Sequence, residues 1–218
     1  MVTTKPTLIY VYDPLCGWCF GFHPVMEKLA ERFRDQLEIR VVAGGLAIDE
    51  NAQSISEGYS YIRGALEQVE QTTGVQFGEN FKLLAEEGSY LYDSEPPANA
   101  QTAIGILFPE SALQFAGKLH NALFVEGKNL NDPAVFEEIL KEMKLDIKPF
   151  REKFDAEATR RQTREQFEWC KTVGASAFPT LLLEIGSDTG LMSRGYRPFD
   201  TLESHLHHLI RNYEKLLS

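Results

Sequence analysis

The sequence predicts an α/β fold whose sheet-forming parts lie at the two ends of the chain, parted by a large all-helical insertion. Three observations carry this. Residues 7–43 read as strand, helix, strand; residues 51–173 show helical periodicity and little strand; residues 180–217 read as two short strands and a helix. The domain boundaries that follow are a discontinuous α/β domain of residues 1–50 and 174–218, and an inserted helical domain of residues 51–173.

Each element has its own signal. The apolar run Leu8-Ile9-Tyr10-Val11-Tyr12 marks a buried strand over 7–12, closed by an Asp13-Pro14 turn. Residues 16–35 read as a helix with Phe20, Val25, Met26, Leu29, Ala30 and Phe33 on its apolar face, and Pro24 inside it predicts a kink. Residues 37–43 read as a second strand, ended by Gly44-Gly45, so the N-terminal unit is β-α-β with a parallel pair. Helices are expected over about 52–73, 77–87, 97–108, 110–126, 133–143 and 148–173. Asp132-Pro133 and Asp146 are start signals, Gly88 and Gly127 are stops, and Glu95-Pro96-Pro97 is a loop or helix entry. Residues 180–185, a turn at 186–190 and residues 191–196 form a hairpin signal. A last helix is expected from about Phe199 to Leu217.

The whole chain narrows the function classes. It has 218 residues, 43% hydrophobic and 25% charged, enough for a sizeable core. Its formal net charge of -10 argues against nucleic acid as a partner. No segment is apolar for long enough to span a membrane, so no membrane partner is expected. Met1 to Pro6 lack the basic and apolar regions of a secretion signal, so the expected location is cytoplasmic. In a reducing cytosol two close cysteines are more often catalytic or redox-sensing than a permanent crosslink.

The decisive motif is Cys16-Gly17-Trp18-Cys19, between the first strand and the first helix. The first turn of a helix has backbone N–H groups with no intrahelical partner, and the helix dipole adds positive potential. Both favour a thiolate, the attacking species in thiol–disulfide exchange. Cys16 is the expected nucleophile. Cys19, one turn deeper, is placed to resolve a mixed disulfide. A structural zinc site needs four ligands. The one other cysteine is Cys170, and His205, His207 and His208 lie far along the chain, so no metal is expected.

Cys16-Gly17-Trp18-Cys19, Pro24, the helical insertion and Ala177-Phe178-Pro179-Thr180 together resemble the DsbA-like branch of the thioredoxin superfamily. Within it the chain is most similar to cytoplasmic members of protein-disulfide-isomerase type. The resemblance implies a thioredoxin-like fold with a large helical insertion, and a thiol–disulfide oxidoreductase/isomerase. It implies no resident cofactor, with glutathione as a candidate redox partner, and thiol- or disulfide-containing proteins or peptides as substrates. It places a cis bond at Phe178–Pro179, with the Phe178 backbone open to an extended substrate. Trp18, Phe178, Pro179 and Thr180 become the candidate substrate contacts. The Gly17-Trp18 pair replaces the Pro-His of strongly oxidising members, which points to a less oxidising protein. A second reading is a kappa-type glutathione transferase or hydroxychromene carboxylate isomerase, which has the same fold but serine where this chain has Cys16. A third is a non-catalytic module, chaperone-like or metal-binding.

Other residues carry smaller expectations. Asp13 caps the turn and helix start, or accepts a proton near Cys19. His23 is expected on the surface. Cys170 is expected as a small buried hydrophobe rather than a third redox thiol. Gly195 is expected to permit a bulge or a close approach. Phe77, Phe81, Tyr90, Tyr92, Phe108, Phe115 and Phe124 are expected as core, some of them lining a groove above the cysteines.

Overall fold

The computed structural model describes residues 5–217, the side chains of 58–62 and 213–217 excepted. Strand β1 (Thr7–Tyr12) lies inside a four-stranded sheet, between β2 (Glu38–Ala43) and β5 (Thr180–Ile185), with β6 (Asp188–Arg194) beyond β5. Leu8 to Tyr12 are all 0% exposed, because both faces of this strand are covered. Leu8, Tyr10 and Tyr12 pack with Phe22, Met26 and Leu29 of α1 (Gly17–Arg32) and Leu202 and Leu206 of α9 (Phe199–Leu217). Ile9 and Val11 point the other way, onto Val42, Cys170 and Leu182. Period-two alternation of the strand thus feeds two cores at once. Each fully buried aliphatic chain contributes roughly 1.5–3 kcal/mol.

Strand β2 (Glu38–Ala43) runs parallel to β1, with Tyr10 opposite Val41. Strand β5 (Thr180–Ile185) runs antiparallel on the other side, with Ile9 opposite Leu182. Strand β6 (Asp188–Arg194) completes the sheet through a hairpin whose second strand begins three residues, and ends two residues, earlier than the sequence predicts. The irregularity in this hairpin falls between Leu181 and Leu182, opposite Ser193 and Leu191, so Met192 and not Gly195 is the extra residue.

Between β2 and β5 run seven helices: α2 (Ile55–Thr73), α3 (Glu79–Glu87), α4 (Glu95–Leu107), α5 (Ala112–Phe124), α6 (Pro133–Met143), α7 (Ile147–Asp155) and α8 (Glu157–Thr172). A two-residue ladder of β3 (Gln53–Ser54) with β4 (Leu91–Tyr92) also occurs there, which the helical periodicity did not announce. The single helix expected over 148–173 is two helices, divided at Ala156, whose backbone is extended. Tertiary packing explains the break, since α7 and α8 both pack against α4. Asn99 of α4 donates to the carbonyl of Phe154 at 2.7 Å, satisfying a group that the break leaves free. Helix α1 runs unbroken through Pro24.

The aromatic residues of the insertion form its core as expected. Phe77, Phe81, Tyr90, Phe115 and Phe124 are buried, and Tyr92 and Phe108 pack partly buried against them. Phe20 of α1 stacks on Phe124 at 5.4 Å, joining this core to the first helix. Local caps hold the helices in register. Asp132 accepts from the N–H of Ala134 at 2.9 Å at the start of α6, ahead of Pro133. Replacing Asp132 by alanine is expected to cost about 1 kcal/mol. A urea midpoint unchanged from that of the parent protein would show that the cap contributes nothing.

Candidate active site

The β1–α1 turn is built from hydrogen bonds that converge on Asp13. Its carboxylate accepts from the N–H of Leu15 at 2.9 Å, the N–H of Leu46 at 2.7 Å and the hydroxyl of Ser94 at 2.9 Å. Its carbonyl accepts from the N–H of Cys16 at 3.0 Å and from Nε2 of His120 at 3.2 Å. Burial raises the Asp13 pKa from 3.8 to about 6, against the opposing pull of its N–H and hydroxyl donors. Asp13 therefore ties the turn, while the cap of α1 is Cys16 itself: its Sγ accepts from the N–H of Cys19 at 3.4 Å.

Both cysteines are free thiols. Cys16 is 7% exposed and Cys19 is 0% exposed. Burial, reinforced by the adjacent Cys16, pushes the Cys19 thiol well above its ordinary pKa. The inner sulfur is thus held as a thiol at neutral pH, and the outer one lies at the mouth of the helix, nearly but not fully buried.

The loop before β5 closes over the pair. The Phe178–Pro179 bond is cis. The Cys16 thiol points at the carbonyl of Phe178 at 3.6 Å. Two ties hold this loop to β6: Gly195 N–H donates to the carbonyl of Pro179 at 2.7 Å, and Arg194 donates to the carbonyl of Gly174 at 2.6 Å. The ring of Phe178 lies over Gly44, where a Cβ would sit 2.0 Å from the ring. Thr180 is buried, and its hydroxyl donates to the carbonyl of Ala177 at 2.7 Å, so it shapes the loop from within.

Beside the sulfurs opens a groove of about 350 Å³ lined by Trp18, Gln68, Thr72, Phe178, Gly195 and Tyr196. Trp18 is half-buried and its ring lies 6.4 Å from that of Tyr196. A larger cleft of about 460 Å³ runs along β2 beside Gln101 and Gln166, but it holds neither cysteine.

Cys16, Cys19, Trp18, Phe178 and Pro179 thus come together, and Thr180 stands behind them. His23 departs from the expectation: it is 8% exposed, not on the surface. Gly117 of α5 makes room for it, since a Cβ there would lie 2.1 Å from its Nε2. Its proximity to Glu27, 3.5 Å away, does not offset burial, which lowers its pKa. Cys170 is buried, as expected, and burial pushes its thiol up to about 12. Ser94 and His120 carry no expectation from the sequence, and Tyr92 is expected only among the core aromatics, some of them lining a groove above the cysteines. Tyr92 donates to the carbonyl of Leu15, so all three bind the β1–α1 turn from the insertion. No local sequence signal marks them. Among the described residues no helix is long and apolar enough to cross a membrane, and no cluster of three or more His, Cys, Asp or Glu is placed to hold a metal.

Two free cysteines one turn apart at a helix start, facing a cis-proline loop on a four-stranded sheet, define a thioredoxin-type dithiol site. The chain belongs to the DSBA-like thioredoxin domain family, whose model matches residues 7–207. This is a family of thiol–disulfide oxidoreductases and isomerases. Its fold is similar to that of a candidate protein disulfide isomerase from Nitrosomonas europaea, with a TM-score of 0.87 and 26% identity, over 96% of this chain and 99% of that one. It is also similar to the cytosolic disulfide reductase DsbM from Pseudomonas aeruginosa, with a TM-score of 0.80 and 28% identity, over 94% and 98% of the two chains. DsbM has also been solved with glutathione. The ClpXP adapter protein SpxH of Bacillus subtilis is 22% identical, over 97% of this chain and 70% of its own length.

Proposed function

We propose that the protein is a cytoplasmic thiol–disulfide oxidoreductase/isomerase that cycles Cys16 and Cys19 between dithiol and disulfide. The observation that carries the proposal is the placement of two free cysteines one turn apart at the start of α1, with the Cys16 sulfur facing the Phe178 carbonyl and Cys19 fully buried behind it. The Cys16 thiolate attacks one sulfur of a substrate disulfide, forming a mixed disulfide and releasing the first substrate thiolate, which takes up a proton. Cys19 then loses its proton and attacks Cys16 Sγ. The second substrate thiol leaves, and a Cys16–Cys19 disulfide remains. Two glutathione thiols restore the dithiol and leave as glutathione disulfide. In isomerisation the substrate's own freed thiol attacks instead, with no net electron transfer.

Trp18, Phe178 and Pro179 contact the substrate, and Thr180 supports the loop that presents the Phe178 backbone. The substrates are proteins or peptides that carry thiols or disulfides, with neither nucleic acid nor membrane as partner. The likeness to a cytosolic disulfide reductase, also seen with glutathione, supports both the direction and the co-substrate. The inserted helices of residues 51–173 and the two flanking segments act as the two units of this machine.

Replacing Cys19 by serine tests the reading. The variant is expected to accumulate mixed disulfides through Cys16, visible as adducts that dithiothreitol removes, while the parent protein catalyses insulin reduction by glutathione. A variant without adducts, together with a parent protein without dithiol-dependent activity, would overturn it. Glutathione conjugation that survives Cys19→Ala would instead favour a transferase.

A further inference from the structure

We propose that His120 of α5 is a positioning residue for the redox pair: its Nε2–H, held on the Asp13 carbonyl, fixes the turn that places Cys16 and so sets the dithiol–disulfide equilibrium. The proposal rests on the redox reading of Cys16 and Cys19.

His120 is 0% exposed and lies 107 residues from Asp13 in sequence. A carbonyl can only accept, so the 3.2 Å contact assigns the proton to Nε2 and leaves Nδ1 bare. That Nδ1 is buried with no hydrogen-bond partner among the described residues. A buried polar atom without a partner costs roughly 1–3 kcal/mol. Leucine or phenylalanine would fill such a site at no such cost, so the bond made by the other nitrogen is the gain that histidine brings.

The ring is fixed on its other sides. Tyr12 meets it edge-on at 5.4 Å, Phe124 lies at 5.9 Å and His23 at 6.1 Å. Burial, with His23 adding to it, lowers the His120 pKa to about 3, so the ring stays neutral in its Nε2–H form at working pH. The donor is therefore constant and rigid.

What it holds is the acceptor of the Cys16 N–H, at 3.0 Å. In the dithiol state Cys16 keeps its place through this bond and through the Cys19 N–H on its sulfur, at 3.4 Å. In the disulfide state the covalent bond to Cys19 holds the same geometry without help. Loss of the His120 bond therefore weakens the dithiol more than the disulfide. The measured reaction is dithiol plus glutathione disulfide giving the Cys16–Cys19 disulfide plus two glutathione thiols, so atoms and two electrons balance.

Equilibrating the full-length protein against a glutathione/glutathione disulfide series gives the test. His120→Phe is expected to move the equilibrium three- to tenfold toward the disulfide, about 14–30 mV for a two-electron couple. His120→Gln, whose amide N–H reaches the same place, is expected to stay within twofold of the parent protein. Should His120→Phe fail to fold, His120→Asn, too short to reach the carbonyl, takes its place in the comparison. An unshifted His120→Phe, or equal shifts in the glutamine variant and the variant without a donor, would overturn the role of His120. A parent protein that shows no dithiol–disulfide equilibrium at all would overturn the redox reading instead.

Discussion

Replacing Asp13 by alanine is expected to destabilise the protein by on the order of 3 kcal/mol, because it leaves three donors without their acceptor. The N–H groups of Leu15 and Leu46 and the Ser94 hydroxyl all end on this one carboxylate, which is 0% exposed. The urea midpoint at constant m-value measures the loss. A shift below about 1 kcal/mol would mean that water replaces the carboxylate at little cost.

Asparagine at the same position separates hydrogen bonding from charge. Burial raises the Asp13 pKa from 3.8 to about 6, so between about pH 4 and 6 the folded state keeps a proton that the unfolded chain has lost. This contribution is complete below the unfolded value and is lost as pH rises through about 6. His120 acts in the opposite sense. Burial lowers its pKa from 6.5 to about 3, so its contribution is complete above about 6.5 and is lost as pH falls through about 3. Over pH 4–6 the two slopes oppose each other and nearly cancel. Asp13→Asn removes only the first. The deficit of that variant relative to the parent protein is therefore expected to shrink, by as much as about 3 kcal/mol, as pH rises from 4 to 6. Parallel stability curves would exclude a raised pKa at Asp13.

The second large effect is on exchange rather than stability. Gly44→Ala puts a Cβ 2.0 Å from the Phe178 ring, so the ring must leave its place. The ring is the free end of a side chain, which keeps the stability cost near about 1–2 kcal/mol. The carbonyl of the same residue faces Cys16 at 3.6 Å, however, and moves with it. At least a tenfold fall in the rate of insulin reduction is expected, on the order of 1.4 kcal/mol in the barrier. Alkylation of Cys16 by iodoacetamide, which needs no contact with the loop, serves as the control and is expected to change little. Trimming Phe178 to alanine makes room, so the double variant should show strong coupling between the two sites. Full exchange activity in Gly44→Ala would show that the Phe178 loop does not position substrate.

Local pattern carried the reading furthest at the two ends of the chain. Strand β1, helix α1 and the CxxC between them are adjacent in sequence, and a continuous apolar run followed by a 3.6-residue period encodes them directly. The insertion was legible as helix but not in its breaks. Nothing near Ala156 is Gly or Pro, and α7 and α8 separate because each must reach α4. For His23 the spacing holds the answer: it follows Cys19 by four residues and precedes Met26 by three, on the buried face of α1. Around the cysteines, the partners of the turn lie 33 to 107 residues away, at Leu46, Tyr92, Ser94 and His120. Their roles come from tertiary contact, and no local period records it.

Those ties from the insertion also limit how the molecule can move. Ser94, Tyr92 and His120 grip the segment from Asp13 to Leu15, immediately before Cys16. A lid that swings clear of a self-sufficient redox core would break all three bonds and unfasten Cys16 at the moment it is needed. The helices behave as the far jaw of a vice. The groove between Trp18 and Phe178 opens on the side away from these ties.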